Sequence, residues 1–443
     1  MNAKTNYDFP VKNHFHAKNV TGLDFDIKNY PDADLYVDLD GVRIIDREKN
    51  YKQTIKFALE IDLENDILEN PSTDYVKIIF SGHRGTGKTQ ELRELHKDLN
   101  HPDRYFSVLI EMEDEVEIDT FQAEDYYILI ILKLARELEY RGINSRSTTL
   151  DDIIKDWTAD EEVEKEIKNR AGLESNLETE AGFNILNFFK TKLNIKATLA
   201  SENVISKKIR EKIKKNPQNL INQFNLVLSD VREDLSRQVK GRDILFIVDG
   251  SERIPDQVYR QLFVTDSQFL RGIAANVISS IRIDSFYDIT TAQQIGFYIP
   301  VLLPMIIIND QSIVKLKEII TRRLDEETFF EQGVLEYFCQ YSGGCIRQLI
   351  RIVNRAILYN LGQKIDKKTA EEVIALLGRE MNEKLTSVHK KILSETDWSH
   401  PDTLGLSVAD KDVSLLVFQL ILLKYNGHLL VNPLIADKYQ VNN

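Results

Sequence analysis

Residues 82–89 read Gly82-His83-Arg84-Gly85-Thr86-Gly87-Lys88-Thr89, a complete G-x-x-x-x-G-K-[ST] pattern. No other stretch restricts the fold as strongly, because this pattern works only between a strand and a helix. Upstream, Tyr75 to Phe80 is a short β-rich run; downstream, Thr89 to Leu99 places Leu92, Leu95 and Leu99 on one helical face. In that setting the glycines let backbone N–H groups converge on a phosphate. Lys88 neutralises its outer oxygens, Thr89 holds magnesium, and the helix N-terminus adds its positive dipole. Such a loop needs a carboxylate at the end of a neighbouring buried strand. Ile244 to Val248, five apolar residues running into Asp249, supplies one, which makes Asp249 the expected second holder of magnesium.

The flanking segments extend the strand–helix alternation of an α/β fold. Residues 1–50 form a polar lead-in with one extended piece, Leu35 to Arg43, and a helical pattern follows through Tyr51–Leu68. The first part of the core spans 51–144. It includes a strand at Tyr105–Ile110, an acidic stretch at Glu111–Asp125 with eight acids and no base, and an apolar helix from Tyr126 to about Arg141. Residues 145–240 read as a mostly helical insertion around a mixed piece, Phe183–Leu199. The core resumes over 241–310, with a helix around Asp256–Leu270 and strands at Asn276–Ile281 and Tyr298–Leu303. A helical lid over 311–385 follows, its last helix capped by Asp366. In 386–443 a helix precedes alternating apolar residues around Asn426-Gly427, the signature of a tight hairpin. The expected fold class is therefore α/β: a three-layer P-loop NTPase sandwich with a parallel five-stranded core sheet, a helical lid and a C-terminal winged-helix-like module.

Composition removes several function classes. Lys+Arg 57 against Asp+Glu 70 gives −13, so no global positive field draws the chain onto nucleic acid or anionic lipid. One basic run, Lys207 to Lys215, has six positive residues against one acid; it reads as a solvated helix face, with phosphate contact as the alternative. Two cysteines at a C-x-x-x-x-x-C spacing fit neither a zinc knuckle nor a disulfide framework and point to a reducing cytosol. The apolar stretches are too short to span a bilayer, so no membrane anchor is expected. The eight histidines form no H-E-x-x-H, and no G-x-S-x-G elbow occurs, so neither a metalloprotease nor a serine hydrolase is expected.

GHRGTGKT, IVDGSER from Ile247, the strand NVISSIR from Asn276 and the element Tyr341 to Ile350 resemble AAA+ ATPases of the origin-recognition and STAND neighbourhood. With the terminal LLKYNGHLLVNP they are similar to poorly characterised bacterial AAA-type ATP-binding proteins. The resemblance covers about 35–435. It implies ATP and Mg2+ as cofactors, Ser279 or Ser280 as the polar residue that senses the γ-phosphate, and Arg347 as a lid arginine on the nucleotide. It also implies Arg282, with Arg271 behind it, as an arginine given to a neighbouring subunit. The GTPase tetrad N-K-x-D is absent, which favours adenine. Gly250 stands where many hydrolysing relatives carry the acid that polarises water; Glu252 is the nearest replacement, with Glu111 or Glu113 as further candidates.

These expectations converge on a cytoplasmic ATPase of slow turnover, an oligomerising switch that engages a partner protein, in the defence contexts the resemblance suggests. The alternatives are an origin-recognition-type DNA-remodelling ATPase, with Tyr425–His428 as a wing, and a scaffold that binds nucleotide without hydrolysis. Few basic residues in 386–443 and a hairpin lined by Leu422, Leu429 and Val431 disfavour the DNA reading.

Overall fold

A computed structural model describes residues 6–46, 49–69, 71, 73–143, 147–170, 195–199, 203–265, 267–283, 286, 297–398, 406, 410–425 and 428–439. The tight turn expected at Asn426-Gly427 lies outside the described residues; of the mixed piece 183–199 only Ile195–Leu199 is described, as a short helix. The chain divides into two compact units, one of Lys52–Ser81 with Thr89–Val301, the other of Met1–Tyr51, Gly82–Lys88 and Leu302–Asn443.

The first unit is built on β1 (Lys77–Ser81), β2 (Tyr105–Glu111), β3 (Asp243–Asp249), β4 (Asn276–Ser280) and β5 (Tyr298–Leu302). Their order is β2-β3-β4-β1-β5, and the pairings β2–β3, β3–β4 and β4–β1 are parallel. All seven residues of β3 are buried, as a strand covered on both faces requires, which is why its sequence is a continuous apolar run. Helix α1 (Lys88–Leu99) covers one face: His96 meets the Ser107 hydroxyl at 3.0 Å and Arg93 Nε meets Glu111 at 2.8 Å. The other face is covered by α2 (Ala123–Tyr140), where Tyr126 meets Ser279 at 3.2 Å. The result is the expected three-layer sandwich.

The insertion is helical where it is described: α3 (Thr148–Thr158), α4 (Glu161–Arg170), α5 (Val204–Lys215) and α6 (Pro217–Gln238). Phe224 of α6 lies 6.3 Å, centroid to centroid, from Phe246 of β3 and so thickens the second helical layer. The basic run falls on α5, and four of its six charges meet acids of the same unit. Lys208 pairs with Asp160 and Glu162, Lys212 with Asp156, Lys214 with Glu124 and Arg210 with Asp125. The last pair is buried and two-pronged, at 2.6 and 2.7 Å, and Asp125 also accepts the Gln122 N–H at the start of α2. Burial pushes the Asp125 carboxyl up; Arg210 opposes that shift. Four of the six positive residues of the run thus have acid partners within the fold.

Two expected helices are interrupted. The pattern through Tyr51–Leu68 is helical only to Ala58, and Ile61–Asp62 then pairs with Ile67–Leu68. Asp62 accepts the N–H groups of Glu64 and Asn65 at 2.8 and 2.7 Å, a local turn that competes with the helix. The Asp256–Leu270 helix is broken by a π turn at Gln261–Thr265, where the Thr265 hydroxyl donates to the Arg260 carbonyl five residues back at 3.2 Å.

The second unit contains the lid helices α7 (Asp310–Thr321), α8 (Val334–Tyr341), α9 (Ile346–Tyr359) and α10 (Lys367–Glu383). Asp366 caps α10 by accepting the Thr369 N–H at 2.7 Å, as its sequence position predicts. The lead-in joins this unit: Val11 exchanges backbone hydrogen bonds with Arg323 and Asp325, and Leu35, Val37 and Leu39 are buried. At the C-terminal end, α11 (Ser387–Glu395) and α12 (Lys411–Phe418) precede β6 (Leu422–Tyr425) and β7 (His428–Val431), an antiparallel pair. Helices followed by a hairpin match the winged-helix-like order.

Candidate functional site

The glycine-rich loop is held by segments remote in sequence, all within the second unit. The Arg347 N–H donates to the Gly85 carbonyl at 3.0 Å, and Cys345 Sγ lies 3.6 Å from the Arg84 carbonyl. A Cβ on Gly85 would sit 2.3 Å from Cβ of Arg347, so the first turn of α9 rests directly on the loop and only glycine admits it. Arg43, a buried side chain from the lead-in, donates to the Thr86 carbonyl. The Thr86 hydroxyl returns to the His83 carbonyl at 2.9 Å. Lys88 Nζ donates to the carbonyls of Gly82 and His83 at 2.9 and 3.2 Å, and the helix begins at Lys88 itself. A buried ammonium at a helix start, beside glycine backbone, suits an anionic oxygen cluster.

His83 is buried in this loop, and its Nε2 accepts the Lys424 N–H of β6 at 2.8 Å. Burial, and next Lys88, push its pKa down to about 3. In the first unit His96 of α1 is pushed down to about 4 by burial and by Arg141. Both are neutral in the folded chain where unfolded histidine titrates near 6.5. Their contribution is complete above that pH and is lost as the pH falls toward 4 and 3, because the unfolded chain then binds the extra protons. His96→Gln is therefore expected to remove one proton from the unfolding linkage between pH 6.5 and 4.5, worth roughly 2 kcal/mol between pH 7 and 5. Urea unfolding of both proteins at several pH values measures it.

The strand ends carry the second group of residues, all in the first unit. Glu111 and Asp249 are register partners, as are Phe80 and Ser280. Side chains alternate along a strand, so Ser279 and Ser280 face opposite layers. Ser279 meets Tyr126 of α2, whereas the Ser280 hydroxyl accepts the Gly250 N–H at 2.8 Å and donates to Glu252 at 2.6 Å. Of the two candidate sensors, Ser280 is the one joined to the residues after Asp249. Gly250 has φ +93°, and a Cβ there would lie 3.3 Å from Cβ of Met112, which explains why this position carries no acid. Glu252, two residues on, is brought back to the strand end by Ser280. Asp249 is buried; Thr89, the second residue of α1, offers a hydroxyl, and both are hard oxygen donors of the kind magnesium takes.

The remaining candidates are occupied elsewhere. Glu111 is bound by Arg93, and Glu113 is ion-paired with Arg253. Arg282 pairs with Asp256 at 3.2 Å, and Arg271 lies over the Phe297 ring at 4.8 Å. Sequence reading missed Arg43, Cys345 and Lys424 as supports of the loop. Arg43 ends a piece of alternating buried apolar residues, a signal that a charged residue there is enclosed too.

No protein-family model and no curated protein matches the chain. Solved structures similar to it include the Walker-type ATPase PABY2304 of Pyrococcus abyssi, 14% identical over 92% of this chain and 99% of that one, with TM-score 0.42. Cdc6p from Pyrobaculum aerophilum is 14% identical over 83% of this chain and 76% of that one, with TM-score 0.36. The Aeropyrum pernix Orc1 protein in complex with DNA is 11% identical over 91% and 96%, with TM-score 0.34.

Proposed function

We propose that the chain is an ATPase of slow turnover that uses nucleotide state to move its lid and so controls self-association and the engagement of a protein partner. The observation that carries this reading is the bond between the loop and the lid, Gly85 carbonyl to Arg347 N–H, because a loop that grips phosphates cannot rearrange without its lid helix. In this reading Lys88 and the loop N–H groups from Gly82 to Lys88 hold the phosphates. Thr89 and Asp249 hold magnesium, which when bound neutralises charge on phosphate oxygens. Glu252 orients the attacking water and Ser280 holds Glu252 in place. Arg347 follows the nucleotide from the lid, and Arg282 serves a neighbouring copy. The negative total charge supports a protein partner over duplex DNA.

Phosphate release from ATP, with and without duplex DNA at moderate salt, tests the reading. Slow release indifferent to DNA is expected; strong stimulation by DNA overturns the partner assignment in favour of remodelling. Glu252→Gln is expected to lower turnover about tenfold, roughly 1.4 kcal/mol, with ATP affinity little changed. Wild-type turnover in that variant removes Glu252 from the mechanism.

A further inference from the structure

Three segments of the second unit close a ring of contacts. The loop touches the start of α9 through Gly85 and Arg347. The Gly343-Gly344 turn before α9 touches β6: the Tyr425 hydroxyl donates to the Gly343 carbonyl at 2.7 Å, and a Cβ on Gly343 would lie 2.5 Å from Leu423. Strand β6 returns to the loop through the Lys424 N–H and His83 Nε2. Leu423, Tyr425, Cys345 and Met305 pack as one apolar cluster behind these bonds.

We propose that the C-terminal hairpin reads whether the phosphate loop is occupied, with the His83 imidazole as a latch on Lys424. The proposal rests on the ATP-binding reading above. Its direction follows from Lys88. That ammonium is shared between the carbonyls of Gly82 and His83, and a bound phosphate competes for it. The His83 peptide then loses a restraint, and the imidazole, whose acceptor is aimed at β6, loosens its hold on Lys424. Because Nε2 accepts the Lys424 N–H, the ring proton sits on Nδ1, and burial opposes a second proton that would end the bond. In a closed ring the loop cannot shift at His83 while both other contacts and this one stay fixed, which makes the hairpin a distinct output from the lid helix.

Two measurements on the full chain test the latch. Amide exchange at Lys424 is expected to become at least tenfold faster when ATP saturates the protein. Linkage is reciprocal: if ATP opens the latch, an open latch favours ATP. The Lys424 N–H donates to His83 rather than across the ladder to β7, so Lys424→Pro deletes the bond from an edge position where proline is tolerated. Lys424→Pro is expected to bind ATP several-fold tighter than Lys424→Ala, which keeps the N–H. Simple damage to the hairpin would weaken binding instead. Unchanged or slower exchange in a protein that binds ATP overturns the latch alone, as does equal or weaker ATP affinity in the proline variant. A wild-type protein that fails to bind ATP overturns the ATP reading and the latch with it.

Discussion

Lys88→Ala is expected to weaken ATP binding at least a hundredfold, about 2.8 kcal/mol, while leaving the fold intact. The lysine is buried at the start of α1, and its ammonium already serves two loop carbonyls, those of Gly82 and His83. A phosphate would replace neutral acceptors by charged ones, so the ammonium gives more to the complex than to the free loop. Methyl at that position offers nothing to either. Titration of both proteins with a fluorescent ATP analogue gives the ratio, and circular dichroism verifies that the variant folds. Equal affinity in the two proteins would sink the phosphate-loop assignment and everything built on it.

The second large effect is expected at Gly344. A Cβ there would lie 1.8 Å from the Ile306 carbonyl oxygen and 2.7 Å from its carbon, and φ is +75°. Both obstacles are backbone, so neither can rotate aside. Gly344→Ala is expected to destabilise the second unit by about 3 kcal/mol or more and to loosen the turn on which β6 rests. Gly333 is the control in the same unit: its φ is +86°, but an added Cβ meets nothing within 4 Å. Gly333→Ala should therefore cost only the left-handed backbone preference, about 1 kcal/mol. Denaturant unfolding of the two variants separates close approach from backbone conformation; similar losses would show that the contact with Ile306 is soft.

What the sequence made legible is what local patterns encode. The glycine-rich loop, the run into Asp249 and the five strands each carry a short signature, and each strand lies within two residues of its expected bounds. The Asp366 cap was readable for the same reason. The breaks were harder: the Asp62 turn and the π turn at Thr265 depend on side chains competing for backbone partners, which apolar periodicity does not register. Choosing Ser280 over Ser279 required strand register, since neighbouring serines differ only in the face they take. The positive φ of Gly250 turned an apparently missing acid into a backbone requirement. Supports such as Arg43 and Lys424 escaped notice because nothing local marks a residue whose partner is hundreds of positions away.

That separation bears on how the protein is made. Thr86 meets Arg43 across 43 positions, but Arg84 meets Cys345 across 261 and His83 meets Lys424 across 341. At about 5–20 residues per second the ribosome delivers the hairpin roughly 20 to 70 s after the loop. During that interval the nascent chain carries the phosphate signature without the lid and hairpin that shape it. The strands of the sheet are all translated before α9 begins, so the sandwich has time to form first. If the loop binds ATP as proposed, full competence is a late event of synthesis, reached only after Lys424 has left the exit tunnel.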